Sequence, residues 1–551
     1  MADSVLRGAA RLGALLLALA ASATPSSAQR AAVAWTRGAT CYEIFVRSFQ
    51  DSNGDGIGDL NGLTSRLDYI NDGNPRSRHS LGARCIWLMP VTESPSYHGY
   101  DVTDYYRVER DYGTNADFTR LVAEAHRRGI KVLVDMVLNH ASSAHPFFQQ
   151  ALRDSASQYR PWFRWSPTRP TELNPWGQSN WHKSPLRDEW YYGFFWSGMP
   201  DLNYAHPPVV SEAKRIARFW LQEMGVDGFR LDAVPYLVEE PGRMMHTAGT
   251  HAFLRDYDAY LRSVKPGVYT IGEMSDSSGI LPSYYPDQLD AYFAFEVADS
   301  IINAVRRGSA SGVLPPILRV QRDLPRDRWA PFLRNHDQPR TATEFGGDLG
   351  RARVAAFILL TLPGMPFVYY GEEIGMTGAK PDERLRTPMQ WRAQAGAGFT
   401  DGTPWQQMQR DSLGTTVEAQ EGDSSSLLNH HRRLIHLRAS NAALGRGRLI
   451  PLTASNPAVS AYVRRDGRHA VLVIANLSSV PAEGVVLSAG AHALPAGDWT
   501  LRSLLGGTGA APLHITTDGR LRDYAPLATL APLDGYLFEL STARRPRTRM
   551  R

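Results

Sequence analysis

The chain is 551 residues long, with 43% hydrophobic, 21% charged and 10% aromatic residues. That composition excludes a disordered tail, a collagen-like repeat and a small disulfide scaffold, and the length allows a large catalytic domain plus a smaller one. The net charge of +5 suggests an acidic partner, but residues 541–551 carry five Arg and no acid and residues 1–28 add +1, leaving the body at −1 and weakening any case for nucleic acid or a membrane surface.

In chain order, residues 1–28 read as a secretory signal peptide. Arg7 and Arg11 precede an apolar run at 12–23, and Ser26-Ser27-Ala28 supplies small residues for cleavage. The run is too short to span a bilayer. A secreted or periplasmic protein without a membrane span is expected.

Short β-branched runs then alternate with amphipathic stretches from residue 36 to 440. The runs fall at 41–47, 84–89, 131–136, 227–232, 268–273, 291–295, 330–334 and 366–370, with helical patterns at 115–128 and 208–224. Eight runs separated by helices predict an α/β fold, a (β/α)₈ TIM barrel in two parts, 36–140 and 208–440. Residues 141–207 are too long and too rich in Trp, Tyr, Phe and Pro for a plain loop, and read as a small domain inserted after strand 3. Six Trp crowd it, at 162, 165, 176, 181, 190 and 196; most are expected in its own core and some along a cleft. From 445 to 541 the pattern alternates as in a C-terminal antiparallel β-sandwich, and 542–551 reads as a disordered Arg-rich tail. Cys41 and Cys85 both sit in apolar runs, where a disulfide and two buried thiols are equally compatible with the pattern.

Polar groups gather where the runs end. The third ends in Asp135-Met136-Val137-Leu138-Asn139-His140, the fourth in Arg230-Leu231-Asp232, the fifth in Glu273 and the seventh in Arg334-Asn335-His336-Asp337. A lone acid at a strand end is usually a helix cap. Several at successive ends of one barrel would face a common mouth, as retaining glycoside hydrolysis requires of its two carboxylates. Asp51, Asn53, Asp55 and Asp59 place oxygen donors at positions 1, 3, 5 and 9 of one loop, with the Ile57 carbonyl at position 7. That is hard-ligand spacing for Ca²⁺, although Gly62 at position 12 rules out an EF-hand.

Together these segments, with Met199-Pro200-Asp201-Leu202-Asn203, resemble the α-amylase superfamily, glycoside hydrolase family 13, over about residues 36–540. The stretches 95–105, 369–376 and 427–430 are similar to secreted bacterial α-amylases that stand between amylases and oligo-glucosidases. The resemblance implies Asp232 as nucleophile, Glu273 as general acid/base and Asp337 as the third acid holding sugar hydroxyls. It also implies Arg230 as partner of the nucleophile, His140 and His336 as donors to sugar hydroxyls, and Tyr100 as the platform under the sugar. Asp135 is expected to support the mouth. One Ca²⁺ in the 51–59 loop is implied. A second site would use Asn139 and Asp201, but Tyr236 stands where many members carry a ligand His, which weighs against it.

The family's exo-acting members clamp the chain end with an Asp three residues before the platform Tyr and with an Arg. Here Tyr97 replaces the Asp while Arg386 matches the Arg. An open cleft follows, hence an α-amylase cleaving internal α-1,4 bonds of starch-like glucans, working as a monomer. An α-glucosidase or a maltose-isomerising transglucosylase is the alternative, the latter because Leu231-Asp232-Ala233-Val234-Pro235-Tyr236 resembles that group. A non-catalytic interaction subunit is disfavoured because all three acids are in place.

Overall fold

The computed structural model describes residues 32–276, 279–409, 414–507 and 509–542; the expected signal peptide and residues 543–551 of the expected tail lie outside them. Seven strands form one parallel sheet: β1 Cys41–Ile44, β2 Cys85–Leu88, β3 Lys131–Met136, β4 Gly228–Leu231, β5 Tyr269–Gly272, β6 Ala291–Tyr292 and β7 Phe367–Tyr369. Their spatial order is β6-β5-β4-β3-β2-β1-β7. The expected seventh run closes the circle as a bridge: Ala330 pairs in parallel with Phe293, its amide bonds Tyr292 O at 3.0 Å, and the Phe367 amide bonds Pro331 O at 2.9 Å. Proline at 331 has no N–H to give, so this position pairs on one side only.

The strands are apolar and almost wholly buried because helices cover them outside and side chains fill them inside. Most of the longer helices are amphipathic, and several are capped by side chains. Asn115–Arg127 starts on a capping box between Thr114 and Asp117. Pro207–Arg218 starts on proline and continues through one wider turn at Phe219–Glu223. Gly228 opens β4 because a Cβ there would lie 1.8 Å from Tyr269 O. The close approach locks β4 against β5, and these two strands carry Arg230 and lead into Asp232 and Glu273. Cys41 and Cys85 are opposite each other on β1 and β2 and are joined by a disulfide.

Between β3 and β4 the chain builds a three-stranded antiparallel sheet from Trp165–Ser166, Trp190–Tyr192 and Trp181–Lys183. After residue 447 eight antiparallel strands, from Arg448–Ala454 to Asp534–Thr542, pair into one closed ladder. The expected antiparallel terminal domain is therefore present, with its two layers joined at both edges. Arg464, fully buried on the terminal-domain strand Val459–Asp466, fastens that domain to the barrel by donating to the carbonyls of Thr361 and, at 2.9 Å, Leu444. No helix among the described residues is long and apolar enough to cross a membrane.

Candidate active site

The C-terminal ends of β3, β4 and β5 and the 330–337 segment meet at one cavity of about 320 Å³. Asp232, Glu273, Asp337, Tyr100, His140 and Arg386 line it, with His98, Phe195, Trp196, Met199, Ala233 and Asp382. Arg230 and His336 lie beneath, 1% and 0% exposed. A larger hollow of about 530 Å³ opens on the terminal β domain beside Arg465, His469, Trp499 and Glu539, and no cluster of acids lines it.

Arg230 organises the floor. One Nη1 donates to Asp135 at 2.8 Å and to Asp232 at 2.6 Å, and Nη2 reaches Glu273 at 2.7 Å. A single guanidinium thus bridges the expected nucleophile and the expected acid, which suits the close carboxyl spacing, roughly 5–5.5 Å, of retaining hydrolysis. Asp135 faces Arg230 and the Tyr100 hydroxyl and supports the mouth from below. The next residue after Asp232 is strained. Ala233 sits at φ 48°, in the left-handed region that costs a non-glycine residue about 1–2 kcal/mol, and its amide donates to Glu273 Oε2 at 3.3 Å. Burial pushes the Glu273 carboxyl up, Arg230 opposes this, and the anions Asp232 and Asp337 add to it. That is the direction a general acid needs.

The two histidines sit in opposite states. Burial lowers His140 to about 4, so it is neutral, and its Nε2 donates to Tyr100 O at 3.1 Å. Burial also disfavours charge on His336, but Asp337 and Glu43 outweigh it and raise it to about 10. His336 Nδ1 lies 2.6 Å from Glu43 and Nε2 lies 3.2 Å from Asp337 and 2.6 Å from the Tyr100 hydroxyl. Both ring nitrogens face oxygen acceptors, which only the imidazolium satisfies. Burial alone would raise the Asp337 carboxyl; His336, then Arg386 and Arg230, hold it far below the usual range. Arg386, 3% exposed, donates to Asp337 at 2.8 Å, to the His336 carbonyl at 3.1 Å and to the Tyr97 hydroxyl at 3.4 Å. The Tyr97 ring stacks on Trp405 at 5.3 Å.

Sequence reading missed Glu43, Asp382 and Glu239. Glu43 had a signal: an acid in the middle of a buried apolar strand needs a partner. Asp382 opens the short helix Asp382–Leu385 and Glu239 lies in an irregular segment, and nothing in the spacing marks either.

The expected Ca²⁺ loop is curled by successive turns in which Asp51, Asn53 and Asp55 each accept from the amide two residues on, at 2.9, 2.8 and 2.8 Å. Asp59 caps the helix Leu60–Ser65. Among the described residues no three acid, His or Cys side chains group closely enough to hold a metal alone. The Asn53 and Ile57 oxygens would complete an all-oxygen set of the kind Ca²⁺ takes. At the second candidate site Asn139 donates to Asp201 at 3.2 Å, while Asn139 Oδ1 and Glu239 Oε1 are buried without a hydrogen-bond partner. Burial and Glu239 push the Asp201 carboxyl well up. Orphaned oxygens beside two crowded acids are what a hard cation would satisfy, and Glu239, whose other carboxylate oxygen pairs with Arg164 at 2.9 Å, would offer the oxygen that Tyr236 does not.

Comparison with known proteins agrees with this geometry. Residues 43–447 match the family profile "Alpha amylase, catalytic domain". The chain is 38% identical over 451 residues to "Alpha-amylase 3" of Dictyoglomus thermophilum, covering 81% of this chain and 86% of that one. It is 35% identical over 505 residues to "Trehalose synthase/amylase TreS" of Mycobacterium tuberculosis, covering 81% and 82%. The solved α-amylase of H. orenii superposes with a TM-score of 0.80 at 40% identity, covering 91% of this chain and 99% of that one.

Proposed function

The chain belongs to the α-amylase family, glycoside hydrolase family 13, and from that premise we propose that it is a secreted α-amylase cleaving internal α-1,4 bonds of starch-like glucans with retention. Asp232 attacks the anomeric carbon while Glu273 gives its proton to the leaving glycosidic oxygen, forming a covalent glycosyl ester. Glu273, now a carboxylate, takes a proton from water as that water attacks the same carbon and releases Asp232. Asp337 holds sugar hydroxyls; His336, expected as a donor to the sugar, instead lies beneath with both ring nitrogens engaged and, with Arg386, holds Asp337 charged and in place.

The observation that carries the endo reading is Tyr97. The place of a chain-end clamp carboxylate is taken by an aromatic ring stacked on Trp405, with Arg386 turned to Asp337 and Asp382. A second reading, maltose isomerisation, draws on the 35% identity to a trehalose synthase/amylase. Ca²⁺, held by Asp51, Asn53, Asp55, the Ile57 carbonyl and Asp59, and at a second site by Asn139, Asp201 and Glu239, would neutralise these acids and stiffen their loops. The deciding experiment is a product time course on soluble starch, maltotriose, maltose and p-nitrophenyl α-glucoside. Rapid loss of iodine staining with mixed oligosaccharides is expected. Glucose alone from short substrates, or trehalose from maltose, overturns the endo assignment.

A further inference from the structure

Most of the large apolar surface left in water belongs to the inserted segment. Among the described residues six large hydrophobic side chains are exposed, and Leu173, Trp176, Leu186 and Trp196 are four of them. Trp176 and Trp196 are 58% and 51% exposed, though indole is a group that folding and binding both tend to bury.

Neither ring is adrift. Trp196 lines the same cavity as Asp232 and Glu273. Its ring lies against Gly198, where a Cβ would come within 2.2 Å of it. Glycine there lets the indole lie on the backbone with its remaining surface in water. Trp176 packs on Phe194 at 5.4 Å and on Phe195 at 6.3 Å. Phe195 lines the cavity and meets His140 edge-on at 5.4 Å. The row ends at Tyr236, 4.2 Å from Phe194 and 5.9 Å from Phe195. The short turn Val234–Tyr236 follows directly on Ala233, whose amide donates to Glu273 at 3.3 Å, so this end of the row lies on the Glu273 side of the cavity. The acid protonates the leaving oxygen. Sugars beyond that oxygen therefore run along this row.

We propose that Trp196 and Trp176 are stacking platforms for α-glucosyl residues on the leaving-group side of the scissile bond, and that they favour long glucans and sugar acceptors over short ones and water. The inference rests on the glucan-hydrolase reading. A pyranose presents a C–H face that suits an indole, and the stack carries no charge, as a neutral polysaccharide requires. In the second half-reaction an acceptor sugar held on Trp196 presents a hydroxyl oxygen to the glycosyl ester. Glu273 takes the hydroxyl proton, the new C–O bond forms and the bond to Asp232 breaks.

The test compares maltoheptaose with α-maltosyl fluoride, whose leaving group places no sugar on this side. W196A should lose about tenfold in kcat/KM on maltoheptaose, mainly through KM, with a much smaller loss on the fluoride. W196F should recover most of the loss. W176A should show the same split at about threefold, and both alanine variants should lower the ratio of transfer products to hydrolysis products. Equal losses on both substrates, or none on maltoheptaose, overturn the proposal. If the parent enzyme turns over neither substrate, the glucan-hydrolase reading falls first and takes this inference with it.

Discussion

The wall formed by the barrel-strand ends and the 382–386 segment keeps its charges paired: Arg386 is 3% exposed and His336 is 0% exposed, each with several partners. The wall formed by the inserted segment leaves Trp176 and Trp196 more than half in water. The first is preorganised, with donors already aimed where charge develops. The second gains its contacts only when a ligand arrives. On the proposed mechanism the contrast divides labour: the charged wall would carry out the bond exchange, and the aromatic wall would select what is brought to it. Substitutions in the charged wall should therefore depress every substrate alike, whereas those in the aromatic wall should depend on chain length.

The largest effect belongs where the two walls meet. D232N should lower kcat on maltoheptaose and on α-maltosyl fluoride alike, by at least about 10⁴-fold, because the nucleophile is gone. Surviving hydrolysis in purified D232N would end the double-displacement mechanism. Next comes R386A, which leaves Asp337 without its guanidinium. Breaking a buried charged pair costs about 3–5 kcal/mol, and Asp337 is partly open to solvent, so a loss near the lower bound, about 10²-fold, is expected on both substrates. A loss confined to long glucans would move Arg386 to the selecting side of the comparison.

A smaller effect, about tenfold on both substrates, is expected for E43Q. Glu43 is 2% exposed and touches no substrate, but it bonds His336 Nδ1 at 2.6 Å. The ring also faces Asp337 and the Tyr100 hydroxyl, Asp135 and Glu273 interact with its charge, and its backbone carbonyl accepts from the Arg386 guanidinium. Removing one anion lowers the proton affinity of His336, so histidine NMR should show it titrating well below the value of about 10 in the parent. In the parent enzyme kcat/KM should fall as pH rises through the Glu273 carboxyl, whose proton is needed, and that limb should lie above an ordinary glutamate. A limb at the ordinary glutamate position would remove Glu273 as the acid.

The charged wall was legible in the sequence, and the aromatic wall only as a Trp-rich segment with some rings expected along a cleft. Asp232, Glu273 and Asp337 fall where runs with strand periodicity end, and a barrel turns those ends into one mouth. Even the seventh run, which pairs through little more than Ala330, was visible as an apolar segment before Arg334. Glu43 shows the limit: its strand was expected, but its partner is 293 residues away, and no local pattern encodes that distance. In the inserted segment most Trp were expected to be core, and Trp162 and Trp181 are buried as expected. Which Trp stays in water depends on particulars such as Gly198 beneath Trp196, and composition does not carry those. The closure of the terminal domain into one ladder was likewise hidden, because alternating strands read the same in a sandwich and in a barrel.

The smallest effect lies outside both walls. The 51–59 loop is tied to a distant segment, since the Asp51 amide bonds Phe399 O at 2.9 Å and its carboxylate accepts from Thr400. Several acids share this short loop, and Ca²⁺ would offset their repulsion. A bound ion adds stability as RT ln(1 + [L]/Kd), about 2.7 kcal/mol at a hundredfold excess over Kd, which corresponds to a Tm change of about 3 °C in a chain of this size. Chelation should lower Tm by that order, D55N should abolish part of the chelator response, and adding Ca²⁺ back should restore it. The ratio of maltoheptaose to α-maltosyl fluoride turnover should stay fixed in D55N, because the loop contributes to neither wall. An unchanged melting curve together with no Ca²⁺ by elemental analysis would remove the loop as a metal site. A changed substrate ratio would show instead that the loop sets the position of one wall against the other.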